Sequence, residues 1–496
     1  MAASARAVYY SRLWIRDRTR LNTHTVGPTT PDSDLRLPEE LAARLESEYG
    51  PHLAIMDQRL GEALHAAELD GAVVFAGDEK TVFRDDQAYP FQAEPYFKAW
   101  VPLTQAPGSF LRLVPGQRPM LVYKQLEDYW HEPPSDPEGY WTAHFDIRVV
   151  RTEADARKLS GAGARWVAVG EAAVAAARHS GAGARPKVND AKFLTHLDYF
   201  RATKTRYEIL CMQAAQLIAV RGHQAVAAAF GPGVSEFDLQ QIYCGAMQQR
   251  EKGLPYSSIV ALNEHASTLH YQHLRTRAPS PMRSLLIDAG AQFNGYAADI
   301  TRTYSASGGD NFDALIKSME TLQQRVCADV KPGVDYVALH VLTHRLLATV
   351  LREHELVKCS EDEAISTGIT RAFLPHGLGH LLGLQVHDAG GRQVDADGEI
   401  RKPPPNDPYL RLTRTLEPGF VVTIEPGLYF IPPLLRAALA KHEDKLNRAK
   451  IERFLPFGGI RVEDDVEVTQ DGHKNLTRDA FAALANAAAS ARGRAR

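Results

Sequence analysis

Two different repeats of apolar positions organise the first part of the chain. Leucines recur at helical spacing from Leu41 to Leu64 and predict a helix that begins near Pro38 and stops at Asp70. The uninterrupted apolar run over residues 72–76 is typical of a buried strand. The chain is therefore expected to begin its folded part with a helix that leads into a sheet.

Short apolar runs separated by turn residues continue this pattern. Residues 110–114 and 120–123 flank Pro115-Gly116, which predicts a β-hairpin, and residues 166–169 predict another short strand. Residues 45–195 are therefore expected to form a mixed α/β domain.

Longer helical segments appear after residue 200. A helix is predicted from about Lys204 to Phe230, where a Gly-Pro-Gly sequence ends it. Ser235 begins the next helix, and Asp238, three residues later, is its expected capping-box partner.

A helical pair is predicted further on, over residues 311–330 and 335–353, with a break at a Lys-Pro-Gly sequence between them. Strands are expected to dominate after that. We interpret residues 200–480 as a second α/β domain.

Length and composition agree with two globular domains. The chain has 496 residues, which exceeds the size of one ordinary core. Its 44% apolar and 24% charged residues are ordinary for a soluble protein, and a net charge of -3 gives no indication of a nucleic-acid partner. No run approaches the roughly 20 apolar residues that a membrane helix needs.

The cysteines and the N-terminus bear on the cellular compartment. The chain has four widely separated cysteines and no CxxC pair, which favours reduced, buried thiols that bind no metal, and a cytoplasmic location: Cys211, Cys244, Cys327 and Cys359. Six arginines against three aspartates in residues 1–36 are compatible with a disordered tail, an over-long start or a transit peptide.

Two aspartates are predicted to share one face of a hairpin. Asn294-Gly295 is a strong two-residue turn signal because both positions favour positive φ. If the turn closes there, Asp288 pairs with Thr301, and Asp299 falls on the same face. The two carboxylates are then diagonal neighbours, about 7–8 Å apart at the backbone.

Carboxylates on one face repel each other unless a positive charge lies between them. A pair of divalent metal ions supplies that charge, since hard ions prefer oxygen ligands. The alternative is that each aspartate caps a turn or pairs with an arginine such as Arg302.

A glycine-rich segment over residues 375–391 carries three histidines, His376, His380 and His387. Glycine allows the backbone to approach a site closely. A lone histidine is usually a core or surface residue, whereas three in such a run are more typical of metal binding or proton transfer.

Two glutamates lie in apolar surroundings near the end of the chain. Glu425 follows the apolar residues 420–424, and Glu463 lies within the apolar residues 458–466. Burying a carboxylate there is costly unless it is compensated. Arg461 shares a face with Glu463, so an arginine–carboxylate pair is the alternative to a metal ion shared with the aspartates.

These segments together resemble the pita-bread metallopeptidases, which include prolidase, aminopeptidase P and methionine aminopeptidase. Five motifs carry the resemblance, in chain order: IDAG at Asp288, AADITRT at Asp299, HGLGH at His380, TIEPG at Glu425 and RVED at Glu463. The similarity is strongest to the bacterial Xaa-Pro dipeptidases and the organophosphorus acid anhydrolases, and it extends over roughly residues 45–480.

The resemblance implies an α/β (α+β) fold in which a creatinase-like α/β domain precedes a pita-bread catalytic domain. We expect an N-terminal extension over residues 1–40, the first domain over 41–200, the catalytic domain over 201–485 and a tail over 486–496.

The resemblance also implies two divalent metal ions per chain, which are manganese in most bacterial members. Asp288 would chelate one ion, Asp299 and Glu463 would bridge both, and His380 and Glu425 would bind the other. A hydroxide held by these ions would hydrolyse an Xaa-Pro dipeptide, with Glu425 as the proton shuttle.

Other residues match the substrate pocket of the family. His376 and His387 would stabilise the tetrahedral intermediate and the substrate amide. Arg411 would hold the C-terminal carboxylate, unless it pairs with an acidic residue in 394–399. The remaining pocket residues that the resemblance implies are Tyr256, His270, Val386 and Arg461.

The resemblance further implies a homodimer in which Asp86 approaches the partner's active site, and a slow side activity on organophosphorus esters. It implies no nucleic-acid or membrane partner. The alternatives are an Xaa-Pro aminopeptidase that takes longer peptides, a methionine aminopeptidase, which generally lacks the first domain, and a non-catalytic pita-bread module or creatinase. The presence of all five ligand motifs argues against the last two.

Overall fold

The computed structural model describes residues 37–494 apart from 128, 162, 172–185 and 310. The expectations for residues 1–36, a disordered tail or a transit peptide, lie outside the described residues.

A six-stranded sheet forms the centre of the first half of the chain. Its strands are β1 (Gly71–Phe75), β2 (Phe110–Leu113), β3 (Met120–Lys124), β4 (Asp146–Val150), β5 (Trp166–Val169) and β6 (Lys187–Val188). They lie in the order β4-β3-β2-β1-β5-β6, with β2 antiparallel to both of its neighbours and the other pairs parallel. The predicted hairpin around Pro115-Gly116 is confirmed.

The α-helices described in this half are α1 (Glu39–Ala67), α2 (Pro95–Lys98), α3 (Glu153–Ser160) and α4 (Ala191–Arg201). The predicted leucine face of α1 is buried, including Leu45 and Leu60. The helix ends where Glu68 takes a left-handed conformation with φ of 58°, directly before β1. The predicted helix-to-strand order at the start of the folded part is confirmed.

Nine helices are described in the second half. They are α5 (Arg206–Ala229), α6 (Glu236–Met247), α7 (Asn311–Ala328), α8 (Tyr336–Glu353), α9 (Glu361–Ser366), α10 (Ile369–Phe373), α11 (Pro432–Lys441), α12 (Arg448–Phe454) and α13 (Leu476–Arg494). The predicted capping box of Ser235 and Asp238 is present at the start of α6. Each capping side chain satisfies a backbone N–H that the first helical turn leaves open.

Short strands lie between these helices. They are β7 (Ile259–Leu262), β8 (Ser284–Asp288), β9 (Gln292–Phe293), β10 (Tyr296–Ala297), β11 (Thr301–Ser305), β12 (Val421–Ile424), β13 (Gly427–Tyr429), β14 (Gly459–Arg461), β15 (Asp464–Val468) and β16 (His473–Asn475). They form small sheets in the orders β11-β8-β7, β10-β9, β12-β15-β16 and β13-β14.

The expectation that strands dominate after residue 353 is wrong. Helices α9 to α13 lie there, and α13 continues to Arg494, past residue 485 where a tail was expected. Three of these helices span seven residues or fewer, too few to repeat an apolar face. Their start signals were nevertheless present, as a capping box at Ser360 and a proline at the first position of α11.

The register of the aspartate hairpin is as predicted. Asn294 and Gly295 have φ of 51° and 86°, and the turn that they form pairs Asp288 with Thr301. Asp299 stands just before β11, so its carboxylate lies on the same side of the hairpin as that of Asp288, as the period of a strand requires.

The two halves share one buried apolar cluster. Phe97 and Val169 of the first half belong to it together with Leu210 of α5 and Val421 of β12. This shared packing holds the first half of the chain against the second half, beside the aspartate hairpin. Within the described part of the chain, no helix combines the length and the apolar character needed to cross a membrane.

Candidate active site

A cavity of about 1790 Å³ lies between the two halves of the chain. Phe91 and Lys98 of the first half contribute to its wall. Twelve of the thirteen predicted site residues line it: Tyr256, His270, Asp288, Asp299, His376, His380, Val386, His387, Arg411, Glu425, Arg461 and Glu463. Residues as far apart in sequence as Tyr256 and Glu463 therefore converge on one site.

Strand ends position the four carboxylates. Asp288 ends β8, Asp299 stands before β11, Glu425 follows β12 and Glu463 precedes β15. Because β8 pairs with β11 and β12 pairs with β15, each pair of strands brings two carboxylates together. The backbone N–H of Glu463 donates to the carbonyl of Thr301 at 3.1 Å, which joins the two pairs.

His380 completes this group. Its Nε2 lies 3.6 Å from Asp299 Oδ2 and 3.5 Å from Glu425 Oε1. Asp299, His380 and Glu463 each offer one ligand atom, and these three atoms lie within 4.8 Å of one another. The spacing is that of side chains arranged around a common ion.

The orientation of His380 suits metal binding. Its Nδ1 lies 3.0 Å from the carbonyl oxygen of Leu381, so in the tautomer with the proton on Nδ1 this N–H donates to the backbone. Nε2 then presents a lone pair to the carboxylates. A backbone acceptor that fixes the tautomer is the usual second contact of a histidine ligand.

A single hydroxyl group lies between the two aspartates. Tyr256 Oη is 2.8 Å from Asp288 Oδ1 and 2.6 Å from Asp299 Oδ1. One hydroxyl proton cannot serve two carboxylate oxygens at once. The two carboxylate oxygens therefore need a further proton or a cation between them.

Burial raises the pKa of three of these carboxylates. It does so for Asp299, Glu425 and Glu463, and the neighbouring negative charges raise their pKa further. Burial also lowers the pKa of His376 and His380 to about 3 and that of His387 to about 4. At neutral pH the histidines are therefore neutral, while the carboxylates need positive charge nearby in order to ionise.

The donor set fits divalent metal ions. Four carboxylates and one neutral imidazole lie together, and the one buried guanidinium among them, that of Arg461, pairs with Asp288. Oxygen donors with an imidazole are the ligands of manganese-type and zinc-type ions. The predicted alternative, in which each aspartate caps a turn or pairs with an arginine such as Arg302, holds in part, because Asp288 pairs with Arg461, whereas Arg302 pairs with Asp464.

A chain of hydrogen bonds connects Arg461 to His376. Arg461 Nη1 donates to Tyr429 Oη at 2.9 Å, and Tyr429 Oη lies 2.8 Å from His376 Nε2. His376 Nδ1 lies 2.8 Å from the carbonyl oxygen of Gly377. Both ring nitrogens of His376 are therefore engaged, and one must be released before His376 can contact a substrate.

His387 differs from His376 in this respect. It stands over the ring of His380 at a centroid distance of 4.5 Å and forms no hydrogen bond with a described residue. Its neighbour Asp388 is buried and pairs with Arg201 and with Lys204, whose Nζ is 3.1 Å away. These ion pairs fasten the histidine segment to the end of α4 and leave the imidazole of His387 available to a ligand.

Arg411 and Asp86 lie in different surroundings. Arg411 is exposed, lines the cavity and forms no ion pair with a described residue, those of 394–399 included. Asp86 is exposed in the loop before β2 and lies outside the cavity of its own chain. An approach of Asp86 to the site of a partner chain therefore stays a prediction.

Three residues that were not predicted from the sequence form hydrogen bonds to residues of the site. Tyr429 joins His376 to Arg461, and Thr423 Oγ1 accepts the backbone N–H of His380 at 3.1 Å. Asp465 Oδ2 accepts the backbone N–H of Asp299 at 2.9 Å. Strand alternation could have flagged Asp465 as buried, but a pairing between distant segments leaves no local signal.

Two family models match the chain. Residues 210–470 match the metallopeptidase family M24, and residues 47–199 match the N-terminal domain of Xaa-Pro dipeptidase. The first match contains all of the predicted metal ligands.

Similar proteins include an Xaa-Pro dipeptidase from Stenotrophomonas maltophilia (strain K279a), 46% identical over 437 residues that span 88% of this chain and 97% of the relative. Another, from Xanthomonas campestris pv. campestris (strain B100), is 47% identical over 438 residues, 88% of this chain and 98% of the relative.

Among solved structures, a zinc-substituted aminopeptidase P of E. coli in complex with product superposes with a TM-score of 0.66. It is 23% identical and covers 88% of this chain and 95% of its own. At this identity the likeness establishes the fold, which is the predicted α/β domain followed by a pita-bread domain.

Proposed function

Since the chain belongs to metallopeptidase family M24, we propose that it is a metal-dependent dipeptidase that hydrolyses the bond before proline in Xaa-Pro dipeptides. The observation that carries this function is the convergence of four carboxylates and His380 in one cavity of a chain 46% identical to an Xaa-Pro dipeptidase over nearly its full length.

The metal ligands are assigned from this convergence. Asp288, Asp299, His380, Glu425 and Glu463 would hold two divalent ions, with manganese the most suitable for a site so rich in carboxylate. Ions bound there polarise a carbonyl oxygen and lower the pKa of a water molecule. Side chains of the protein would carry out the proton transfer, stabilise the tetrahedral intermediate and bind the substrate.

Proton transfer is assigned to Glu425. Its carboxyl group is buried beside His380, and its raised pKa favours holding a proton. Hydrolysis forms a bond between the water oxygen and the scissile carbon and breaks the bond from that carbon to the proline nitrogen. Glu425 takes the proton from the water and delivers it to the proline nitrogen, which balances the reaction.

The histidines have different roles in this proposal. His387 has no hydrogen bond to a described residue and is neutral, so its N–H can donate to the substrate carbonyl or to the tetrahedral oxygen. His376 is engaged at both nitrogens. It would contact the substrate by exchanging its bond to Tyr429, which keeps the imidazole in place until then.

The selection of dipeptides over longer substrates is assigned to Arg411. An Xaa-Pro dipeptide carries its free carboxylate on the proline, next to the scissile bond. Arg411 lines the same cavity as the metal ligands and has no carboxylate partner among the described residues. A guanidinium remains charged at all relevant pH values and can hold both carboxylate oxygens.

We propose a homodimer, because exposed aromatic residues such as Phe83 and Tyr89 flank Asp86. We propose a cytoplasmic location, because the four cysteines are free of disulfides. A side activity on organophosphorus esters stays a prediction.

A peptide panel tests the proposed function. Manganese-loaded protein should hydrolyse Xaa-Pro dipeptides, should leave dipeptides without proline largely intact, and should act much more slowly on Xaa-Pro-Xaa tripeptides. Faster cleavage of tripeptides would support the aminopeptidase alternative. No cleavage of any peptide by metal-loaded protein would support a non-catalytic role.

A further inference from the structure

A second group of metal-binding side chains lies outside the active-site ligands, where helix α8 faces the segment before Arg411. His340 and His344 stand one turn apart on α8, and Asp407 faces both imidazoles. We propose that His340, His344 and Asp407 form a separate site for a divalent transition-metal ion of the zinc type.

The distances suit a common ion. Asp407 Oδ1 lies 3.4 Å from His340 Nε2 and 3.9 Å from His344 Nε2. One ligand atom from each of the three residues lies within 4.8 Å of the other two. Ligand atoms around a tetrahedral zinc ion, with bonds of about 2.0–2.2 Å, are separated by about 3.3 Å. The distance from Asp407 Oδ1 to His340 Nε2 is already close to this value, and the other separations would have to shorten by about 0.6–1.5 Å through side-chain rotation.

Three of the four imidazole nitrogens in this group have no hydrogen-bond partner among the described residues. His340 and His344 are buried, with 1% and 3% of their surface exposed. Neither ring nitrogen of His340, nor Nε2 of His344, forms a hydrogen bond with a described residue. Buried polar atoms are almost always paired in native proteins, so two adjacent imidazoles with open nitrogens indicate a missing ligand.

His344 is oriented as a metal ligand would be. Its Nδ1 lies 3.0 Å from Thr370 Oγ1, so in the tautomer with the proton on Nδ1 this N–H donates to the hydroxyl oxygen. Nε2 then directs its lone pair toward Asp407. Burial lowers the pKa of His344 to about 3, so the imidazole is neutral, which is the form that binds metal.

A simpler explanation accounts for Asp407 but not for the histidines. Arg371 donates to Asp407 Oδ1 from Nε at 2.6 Å and to Oδ2 from Nη2 at 3.0 Å, which compensates the carboxylate. This ion pair leaves the nitrogens of His340 open. It is also compatible with metal binding, because a ligating carboxylate is commonly hydrogen-bonded by a residue behind it.

Asp407 also faces a cavity. It lines a cavity of about 410 Å³ together with Arg371, Leu374, Pro408 and His376, whereas His340 and His344 do not line it. A water molecule that enters this cavity approaches the group from the side of Asp407, where it would serve as the fourth ligand.

The position of the site suggests what an ion would do. Asp407 is four residues before Arg411, and the backbone N–H of Leu410 donates to the carbonyl of Asp407 at 3.1 Å. An ion shared by α8 and Asp407 would therefore fasten to a rigid helix the turn that leads to Arg411. It would act as a structural support of the substrate-length residue and not as a participant in hydrolysis.

Metal stoichiometry tests this inference. Metal-free wild-type protein titrated with Zn²⁺, followed by calorimetry and by metal analysis after desalting, should bind three equivalents per chain. His340→Ala and His344→Ala should each bind two. The control His354→Ala, directly after the last residue of the same helix and hydrogen-bonded to Ser318, should retain three. If wild type and the His340 and His344 variants bind the same number of ions, the inference is wrong.

A second measurement covers the case in which an alanine variant misfolds. Asp407→Asn keeps the size of the side chain and removes the anionic ligand. The double variant Asp299→Ala, Glu463→Ala lacks the two residues proposed to bridge the active-site ions. When Co²⁺ is added to this double variant, the visible absorption spectrum of a tetrahedral site should appear. Adding Asp407→Asn should weaken this Co²⁺ binding at least tenfold. The inference is overturned if Asp407→Asn leaves Co²⁺ binding unchanged, or if the double variant without Asp407→Asn shows no tetrahedral spectrum.

Discussion

Arg461 and Asp288 form an ion pair inside the active-site cavity, with 2.6 Å between Nη2 and Oδ2 and side chains 5% and 13% exposed. The other oxygen of Asp288 accepts the hydroxyl of Tyr256. The same guanidinium donates to Tyr429, which contacts His376. Arg461 thus contacts Asp288, a proposed metal ligand, and reaches His376, a proposed catalytic residue, through Tyr429.

We expect Arg461→Lys to lower kcat/KM for Xaa-Pro dipeptides by about 10- to 100-fold. Lysine keeps the charge but cannot reach Asp288 and Tyr429 together, and a hydrogen bond to a charged group contributes about 1.5–3 kcal/mol. Steady-state kinetics of manganese-loaded protein measure the effect. The control Arg401→Lys, exposed and paired with Asp335, should change kcat/KM less than about twofold. Equal effects of the two substitutions would contradict the role of Arg461.

Metal removal should abolish hydrolysis. Dialysis against a chelator should leave protein without dipeptidase activity, and addition of Mn²⁺ should restore it, because the five proposed metal ligands in the cavity would hold the ions that activate water. Asp299→Ala should lose more bound metal than Asp288→Ala, since a bridging ligand serves both ions. Full turnover by protein shown to be metal-free would refute the assigned chemistry.

Metal-free protein should become less stable as pH rises from about 7 to about 8. The pKa values of Asp299, Glu425 and Glu463 are raised in the folded state by burial. A raised folded pKa contributes stability that is present below the unfolded pKa and is lost as pH rises through the folded pKa. The histidines of the site have lowered pKa values, so above the unfolded value of about 6.5 they are neutral in both the folded and the unfolded state. They therefore add no pH dependence to the free energy of unfolding in this range.

Urea unfolding in the presence of a chelator measures this dependence. Manganese-loaded protein is the control, because its carboxylates hold ions in place of protons, and groups elsewhere in the chain contribute equally to both samples. The difference in free energy of unfolding between the two samples should widen with pH. A difference that stays constant over this range would show that the metal-free carboxylates hold no extra protons.

The sequence predicted those features that local signals determine. Asn294-Gly295 permits few backbone geometries other than a two-residue turn, and that turn alone set the register of Asp288 against Thr301. The capping box at Ser235 is equally local. The five proposed metal ligands were assigned from the motifs that carry the family resemblance, and the structure brings all five into one cavity.

Features that depend on distant segments could not be predicted. Gln216 contacts Asp465 across 249 residues, and Tyr429 joins His376 to Arg461 although neither partner is near it in sequence. The short helices after residue 353 were missed because a helix of seven residues or fewer gains most of its stability from packing and not from its own pattern.

If Asp86 serves the partner's active site, two defective chains should complement each other. Asp86→Asn should raise KM, and Asp299→Ala should be inactive. In a mixed dimer, the chain with Asp86→Asn keeps intact metal ligands and receives Asp86 from its partner. Co-expression of the two variants should therefore restore activity above the sum of the separate proteins.

Two controls sharpen this test. Asp362→Asn, an equally exposed carboxylate on α9, should have no effect on KM. Sedimentation should show that the wild-type protein is a dimer at assay concentration. Failure of the co-expressed variants to gain activity would place Asp86 outside the partner's site.

Arg411 should determine why a dipeptide is preferred. It lines the cavity that contains the metal ligands and is exposed, with no ion pair to a described residue. A dipeptide brings its proline carboxylate next to the scissile bond, where a guanidinium can bind both oxygens. A tripeptide places an uncharged amide there instead, so the guanidinium would be covered without a partner, which costs about 1–3 kcal/mol.

Arg411→Ala should therefore raise KM for Xaa-Pro dipeptides by about tenfold or more, since 1.4 kcal/mol corresponds to about tenfold. The same substitution should raise kcat/KM for Xaa-Pro-Xaa tripeptides, because it removes the guanidinium that they would leave without a partner. The measured quantity is the ratio of kcat/KM for the two lengths, with Arg401→Ala as the control. If Arg411→Ala retains the wild-type ratio, the length preference is set elsewhere in the cavity, and Arg411 does not bind the proline carboxylate.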